Sequence, residues 1–238
     1  MISADEFERQ LQFIKENNYQ VVPMDQAIEL LITEKAKNGK YICITFDDGY
    51  ENNYEIAWPI LKKWNYPAHF FLTSKYLNRN QRITKNNQQF DIPYMDEQMI
   101  KDLIANGCSI GAHSVSHSNL TACSEEKCFD ELIQSKNELE RTFSVPINTF
   151  SYPYSYYDKR VIKAVKKSGY DYAFSLEYRS IKSINSKMRY RISRMVIHDN
   201  ENIDKFTKKL SGNYDWVYFY TNIKRNLSIF LKSIRKQK

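Results

Sequence analysis

Two adjacent carboxylates follow an apolar stretch in the first quarter of the chain. Residues 41–46 are mostly apolar and run directly into Asp47, Asp48 and Gly49. A near-continuous apolar run is typical of a buried parallel strand, and ligand sites in α/β folds lie beyond the carboxyl ends of such strands. Neighbouring carboxylates repel each other unless one of them takes up a cation or a proton. The pair therefore indicates a metal or a shared proton, or, alternatively, two residues that only cap an Asp-Gly turn.

Two histidines offer ligands of the complementary kind. His113 ends a second apolar stretch, residues 108–113, and His117 follows four positions later. A spacing of four residues corresponds to about one helical turn, so both imidazoles can face the same point. Two imidazoles and one carboxylate are a common ligand set for zinc, and Asp48 can supply the carboxylate. The alternative is a hydrogen-bonded pair of surface histidines.

The elements that position these residues alternate along the chain. Apolar periodicity predicts helices over residues 4–17, 24–35, 52–64, 96–106, 125–143, 158–168 and near 203–210. Strands are predicted over residues 41–46, 68–73, 108–113, 149–154, 172–175 and 190–197. Residues 78–91 are polar and predict an exposed loop, and Ile56 is expected on the buried side of its helix. The alternation predicts a parallel α/β sheet or barrel, whose rim would bring the carboxylates and the histidines together.

Length and composition favour one larger α/β domain, because 238 residues with 42% hydrophobic content can bury a sizeable core. The net charge of +7 suits anionic partners, but its basic residues cluster only at the C-terminus. No nucleic-acid partner is therefore expected, and a basic nucleic-acid or membrane-surface binding protein remains the less favoured alternative. The oligomeric state is open.

No stretch resembles a signal peptide or a membrane-spanning helix. As written, the chain predicts a cytoplasmic protein, or a membrane-associated or exported one if its N-terminus is incomplete. Residues 224–238 place apolar side chains on one helical face and cations elsewhere. This tail could contact an anionic membrane or dock as a final helix.

Three ordered motifs resemble those of the NodB-like polysaccharide deacetylases, which remove acetyl groups from N-acetylated sugars and from some O-acetylated ones. The motifs are residues 45–49, 113–117 and 150–154, and weaker similarity covers roughly residues 3–215. The resemblance implies a distorted (β/α) barrel with fewer than eight regular strands. We therefore predict an N-terminal extension over residues 1–40, a barrel over 41–215 and a basic amphipathic tail over 216–238.

The resemblance also implies roles for individual residues. Asp48, His113 and His117 would hold a divalent metal, most often Zn²⁺, and Asp47 would be the general base. The backbone N–H of Tyr154 would help to stabilise the oxyanion, and Pro153 would shape that loop. For Tyr152 and Tyr154, simple packing in the core or at the rim is the alternative. The implied partner is a glycan that contains N-acetylated sugars.

The chain departs from the family pattern in two places. Many members carry an arginine that pairs with the base where this chain has Ser151, and we expect Arg191 or Arg194 to replace it from the late strand. Members protonate the leaving amine with a histidine, for which His198 is the candidate, whereas His69 on an apolar strand is expected to be structural. If the acid or the arginine is missing, the alternative is a glycan-binding pseudoenzyme that keeps the metal site.

Overall fold

The computed structural model describes residues 2–78, 80–85, 88–177, 180–199 and 201–212. Within these ranges the helices α1 to α7 are Ala4–Glu16, Met24–Ile32, Trp58–Lys63, Glu97–Ala105, Glu125–Phe143, Lys159–Lys167 and Ile203–Leu210. The strands β1 to β5 are Gln20–Val21, Tyr41–Ile42, Ile44–Phe46, Ala68–Leu72 and Asn80–Lys85. The strands β6 to β10 are Gln88–Pro93, Ser109–Ala112, Thr149–Ser151, Tyr172–Leu176 and Ile192–Arg194. The predicted tail, residues 216–238, lies outside the described residues.

Five of these helices begin at a side chain that accepts a hydrogen bond from the first turn. An N-cap residue with a short polar side chain satisfies a backbone N–H group that has no partner within the helix. The five caps are Ser3, Asp96, Ser124, Asp158 and Asn202. These capping residues explain why each of the five helices begins where it does.

A six-stranded parallel sheet forms the centre of the fold, in the order β3-β4-β7-β8-β9-β10. The two edge strands approach each other, because Arg194 Nη1 on β10 donates a hydrogen bond of 2.9 Å to Thr45 Oγ1 on β3. The sheet is therefore curled into a half-barrel rather than open. The predicted distorted (β/α) barrel with fewer than eight regular strands is confirmed.

Alternate residues of each strand face the inside and the outside of the half-barrel. On β4, Phe70 and Leu72 belong to the main core between the sheet and the surrounding helices, whereas Phe71 belongs to a smaller interior cluster. That cluster also contains Met24, Ile28 and Leu31, so α2 packs against the interior. The same alternation places Thr45, Asp47 and Ser151 around Arg194, which donates hydrogen bonds to all three at the end of the interior where the strands finish.

Two sequence-based predictions are wrong. Residues 80–85 and 88–93 pair as the antiparallel strands β5 and β6 instead of forming a loop, because hydrogen bonds between strand backbones also form where most side chains are polar. The predicted helix over 52–64 begins with the π-helical turn Asn53–Ala57 before α3. Its wider turn changes which side chains face inward, and Ile56 is 50% exposed instead of buried. Among the described residues, no helix has the length and apolar character needed to cross a membrane.

Candidate active site

The predicted metal ligands meet at the rim of the half-barrel. Asp48 Oδ1 lies 3.5 Å from His113 Nε2 and 3.3 Å from His117 Nε2, and the three ligand atoms all lie within 4.8 Å of one another. Asp48 follows β3, and both histidines follow β7. The β7 strand pairs with β4, which in turn pairs with β3. The topology therefore brings together residues that are 65 or more positions apart, as the sequence predicted.

Unusual backbone conformations aim these ligands. Asp48 and His117 both adopt left-handed conformations, with φ of 73° and 56°. Such conformations cost a non-glycine residue on the order of 1–3 kcal/mol and persist only where the surrounding structure imposes them. Gly49 follows with φ of 87°, and a Cβ atom there would lie 3.1 Å from the Leu72 side chain. The sharp turn after β3 therefore requires a glycine at position 49, and it turns the Asp48 side chain towards the two histidines.

Hydrogen bonding fixes the orientation of His113. Its Nδ1 atom lies 2.7 Å from the carbonyl oxygen of Ser151, so Nδ1 carries the proton and donates it to that oxygen. The lone pair of Nε2 then faces Asp48 and is free to bind a metal. His117 is kept neutral by its surroundings, because burial and the neighbouring His113 lower its pKa below 6.5. A metal binds the neutral form of an imidazole, so the lowered pKa of His117 favours metal binding.

Asp47 is paired with Arg194 in the interior of the half-barrel. The guanidinium donates two hydrogen bonds of 2.7 Å, from Nη1 to Oδ1 and from Nη2 to Oδ2 of Asp47. The same Nη2 donates to Ser151 Oγ at 2.6 Å, and that hydroxyl lies 3.3 Å from Asp47 Oδ2. Of the two arginines predicted to replace the missing one, the structure places Arg194 at the carboxylate, whereas Arg191 is exposed.

These contacts change the acidity of Asp47. Burial alone would raise its pKa, but the charge of Arg194, the nearby His113 and the hydrogen bonds from Arg194 and Ser151 together lower the pKa from 3.8 to about 2. The carboxylate is therefore ionised throughout the physiological pH range. An ionised carboxylate with fixed orientation can accept a proton from a nearby water molecule.

The lowered pKa predicts a pH dependence of stability. A carboxylate with a folded-state pKa of about 2 and an unfolded value of 3.8 stabilises the fold by about 2 kcal/mol above pH 4. This contribution is lost as the pH falls towards 2. In urea unfolding of the chelator-treated protein, we expect the difference in unfolding free energy between the wild type and Asp47→Asn to be constant from pH 7 to pH 5. It should then shrink below pH 4, and a difference independent of pH down to 2 would contradict the pairing.

Glu131 is a site residue that the sequence analysis missed. Its buried carboxylate accepts hydrogen bonds from the backbone N–H of Ser116 at 2.9 Å and from the Ser116 hydroxyl at 2.6 Å. The Ser118 hydroxyl donates a third at 3.3 Å. Ser116 and Ser118 flank His117, so Glu131 fixes the loop that carries this ligand to the middle of α5. Ser116 and Ser118, the hydroxyl residues on either side of His117, were the sequence feature that could have indicated a buried acceptor for this loop.

We expect Glu131→Gln to weaken metal binding, because the amide replaces one acceptor with a donor that faces the Ser116 loop. Substitutions that disturb the groups orienting metal ligands typically lower metal affinity by about 10- to 100-fold. Competition with a fluorescent zinc chelator measures the change. Glu138→Gln is the matched control, since Glu138 lies two turns further along the same helix and should leave the affinity unchanged. An unchanged zinc affinity in Glu131→Gln would show that the loop around His117 keeps its conformation without the Glu131 carboxylate.

The third motif forms a turn at the rim. Tyr152 is buried and donates a hydrogen bond of 3.0 Å from its hydroxyl to the carbonyl oxygen of Tyr190, so it packs in the core. Pro153 is also buried, whereas Tyr154 is exposed and its ring lies 4.4 Å from that of His117. Tyr154 therefore borders the metal ligands. The oxyanion role of its N–H group and the shaping role of Pro153 stay predictions.

The remaining two histidines lie in different places. His69 is buried between Ser109 Oγ at 2.7 Å and Thr149 Oγ1 at 3.0 Å, and burial lowers its pKa to about 3. This neutral, doubly bonded histidine is structural, as predicted. His198 is exposed in the segment after β10. The site residues line a cavity of about 830 Å³ that Val196 and Ile197 also line but His198 does not. Its role as the general acid stays a prediction.

A family model described as polysaccharide deacetylase matches residues 34–173. The chain belongs to the polysaccharide deacetylase family. The matched range contains the carboxylate pair, both histidines and the turn with Pro153 and Tyr154, whereas Arg194 and His198 follow it. The resemblance stated from the three motifs is therefore confirmed.

Individual relatives agree with this assignment. The chain is 29% identical over 176 residues to the putative polysaccharide deacetylase YxkH of Bacillus subtilis, covering 74% of this chain and 59% of that protein. It is 26% identical over 212 residues to a poly-beta-1,6-N-acetyl-D-glucosamine N-deacetylase of Staphylococcus aureus, covering 84% and 68%. The chain thus spans less than two thirds of the length of YxkH.

Solved structures of deacetylases share the fold. The deacetylase PplD of Streptococcus pyogenes, solved in complex with acetate, superposes with a TM-score of 0.73 at 20% identity, covering 88% of this chain and 87% of that one. IcaB from Ammonifex degensii gives a TM-score of 0.71 at 20% identity, covering 88% of each chain. These similarities support the half-barrel architecture.

Proposed function

We propose that this protein is a metal-dependent hydrolase that removes N-acetyl groups from a polysaccharide, with poly-N-acetylglucosamine as the first substrate to test. One observation carries the proposal: an ionised carboxylate, Asp47, lines the same cavity as a ligand set that does not include it, and His113 of that set is close enough to lower its pKa. Hydrolysis of an amide needs both an electrophilic centre and a base that is free to accept a proton. The substrate follows from the Staphylococcus aureus relative, whose name states that activity.

The donor set fits a divalent metal, with zinc the first candidate. Asp48, His113 and His117 offer one carboxylate oxygen and two imidazole nitrogens, and catalytic zinc sites commonly have three protein ligands of these types. The hydrogen bond from His113 to Ser151 is the kind of outer contact that orients a metal-binding imidazole. When bound, the metal would polarise the acetyl carbonyl and lower the pKa of a coordinated water.

The other residues handle protons and charge. Asp47 accepts a proton as water adds to the carbonyl carbon, and Arg194 with Ser151 keeps its carboxylate in one orientation. The N–H of Tyr154 donates to the oxygen that becomes negatively charged. His198 then protonates the nitrogen as the carbon–nitrogen bond breaks, and acetate and a free amine are released.

A glycan-binding pseudoenzyme is the second candidate, because His198 is exposed and is not among the residues lining the cavity. Acetate release separates the two. We would incubate the zinc-loaded and the chelator-treated protein with β-1,6-linked N-acetylglucosamine oligomers, chitin oligomers and peptidoglycan glycans. Release that requires zinc supports the enzyme and ranks its substrates. Binding of a glycan without release of acetate from any of them supports the pseudoenzyme.

The pairing of Asp47 with Arg194 predicts that an arginine at position 151 can take over the role of Arg194. Arg194→Ser should lower kcat/KM by about 10²-fold, because the freed carboxylate is no longer held in its working geometry. Adding Ser151→Arg places an arginine beside the same carboxylate, and we expect it to restore at least about a tenth of the lost activity. Arg191→Ser is the matched control and should retain full activity. An Arg194→Ser variant with wild-type kcat/KM would contradict the positioning role.

A further inference from the structure

Exposed apolar side chains collect on one side of the metal ligands. Five large ones are exposed among the described residues, and three of these, Tyr154, Tyr156 and Leu176, belong to neighbouring segments at the rim. Tyr154 is 57% exposed, Tyr156 is 55% exposed, and their ring centroids lie 6.0 Å apart with planes inclined by 35°. Exposed apolar patches of this kind commonly mark binding surfaces.

The backbone holds both rings outward at an energetic cost. Tyr154 and Ser155 are consecutive residues in left-handed conformations, each with φ of 56°. Non-glycine residues in that region cost on the order of 1–3 kcal/mol each, and such strain concentrates at functional sites. The turn is secured by hydrogen bonds from Ser155 N–H to the Tyr152 carbonyl at 2.9 Å and from Leu176 N–H to Ser155 Oγ at 2.7 Å.

The exposed tyrosines extend outward from the metal ligands. The Tyr154 ring lies 4.4 Å from the His117 ring, and Tyr156 lies one ring further away from the ligand set. Residues 152–157 carry no charged side chain, which suits an uncharged ligand. By contrast, the neighbouring Tyr157 packs inward against Tyr152 at 4.9 Å, so the outward direction of Tyr154 and Tyr156 is specific to these two residues.

We propose that Tyr156, together with Tyr154, forms a stacking subsite for a pyranose ring of the glycan next to the sugar that is being deacetylated. This inference rests on the proposed function and deepens it. The apolar face of a pyranose, made of C–H groups, packs on an aromatic ring, and the tyrosine ring offers a large rigid surface for such contact. A glycan with one sugar at the metal ligands would therefore extend over these two rings. The subsite would select chains over single sugars.

Kinetics with N-acetylglucosamine and its β-1,6-linked oligomers of two to five residues test the subsite in the zinc-loaded protein. Tyr156→Ala should raise KM for the pentamer by about tenfold while kcat changes by less than about twofold, and it should leave the KM of the single sugar unchanged. Tyr156→Phe and Tyr156→Trp should keep the wild-type KM, because stacking uses the ring face. Ile32→Ala removes a side chain that is 51% exposed elsewhere and serves as the control.

A binding measurement separates this inference from the proposed activity. Calorimetric titration of the pentamer into Asp47→Asn, with and without Tyr156→Ala, needs no turnover, and we expect about tenfold weaker binding in the double variant. Equal affinities of the two variants for the pentamer, an equal loss of affinity for the single sugar, or no binding to Asp47→Asn would overturn the subsite. If the double variant binds more weakly but the zinc-loaded wild type releases no acetate, the subsite is supported and the proposed hydrolase is refuted.

Discussion

Replacing His117 with alanine is expected to abolish metal binding and acetate release together. The variant leaves one imidazole and one carboxylate, Asp48 Oδ1 and His113 Nε2 at 3.5 Å, where the wild type offers three ligand atoms within 4.8 Å. A ligand that binds only the folded state stabilises it by about 2.7 kcal/mol at a concentration of 100 times Kd. We therefore expect zinc to raise the melting temperature of the wild type and to leave that of His117→Ala unchanged.

The matched control is His198→Ala, which removes an imidazole that is not part of the ligand set. It should keep the full thermal shift with zinc, and its acetate release should fall if His198 is the general acid. Bound zinc is counted by atomic absorption after gel filtration. Stoichiometric zinc in His117→Ala, or loss of zinc from His198→Ala, would contradict the assignment of the ligands.

Asp47→Asn should separate metal binding from catalysis. The amide still accepts a hydrogen bond from Arg194, so the fold and the neighbouring ligands persist, but it cannot take a proton from water at neutral pH. Loss of a general base lowers rates by about 10²- to 10⁴-fold, and we expect kcat to fall within this range while zinc content stays at the wild-type level. The measurement is acetate release at saturating substrate, with bound zinc determined on the same sample.

Asp130→Asn provides the control, because Asp130 is an exposed acid on α5 and its loss should leave kcat unchanged. If Asp47→Asn retained the wild-type kcat, another group would be the base. If it lost its zinc as well, Asp47 would have to be counted among the ligands, contrary to the geometry in which its two oxygens face Arg194.

Local patterns predicted the elements that carry the site. The helix predicted over residues 125–143 is α5 itself, because Ser124 caps its first turn and the buried side chains Leu132 and Leu139 recur at helical spacing. The grouping of Asp48 with His113 was also predictable, since each follows an apolar strand and parallel strands present their carboxyl ends at one edge. In both cases the deciding signal lies within a few residues of the element.

Residue pairs that contact each other only in the tertiary fold were harder to predict from the sequence. Asp47 and Arg194 are 147 positions apart and lie at opposite edges of the sheet, so their pairing depends on how strongly the sheet curls. We could not choose between Arg191 and Arg194 without knowing which side of β10 faces the interior. The alternation of strand side chains was the available signal, because the apolar Ile192 lies in the interior cluster and Arg194, two positions later, lies on the same face.

Glu131 and the hairpin of β5 and β6 were missed for a different reason. Glu131 lies next to buried positions of α5, but a carboxylate at a helix surface usually faces solvent, and only the loop with Ser116 makes it a buried acceptor. Most residues of β5 and β6 are polar, and the apolar Ile83, Phe90 and Ile92 alternate with polar residues over too short a stretch to predict a strand. Both features arise from hydrogen bonds, which leave weaker traces in a sequence than apolar packing does.

The most direct test of the account is to quantify acetate and free amino groups released from one β-1,6-linked N-acetylglucosamine oligomer, with the zinc-loaded protein and after chelation. Metal-dependent hydrolysis of N-acetyl groups predicts that the two products appear in equal amounts, that chelation stops both, and that added zinc restores both. Acetate without an equal number of new amines would show that the acetate does not come from the N-acetyl groups, and would contradict the proposed amide hydrolysis. Equal release that persists in the chelated protein would contradict the metal-dependent chemistry proposed for Asp48, His113 and His117.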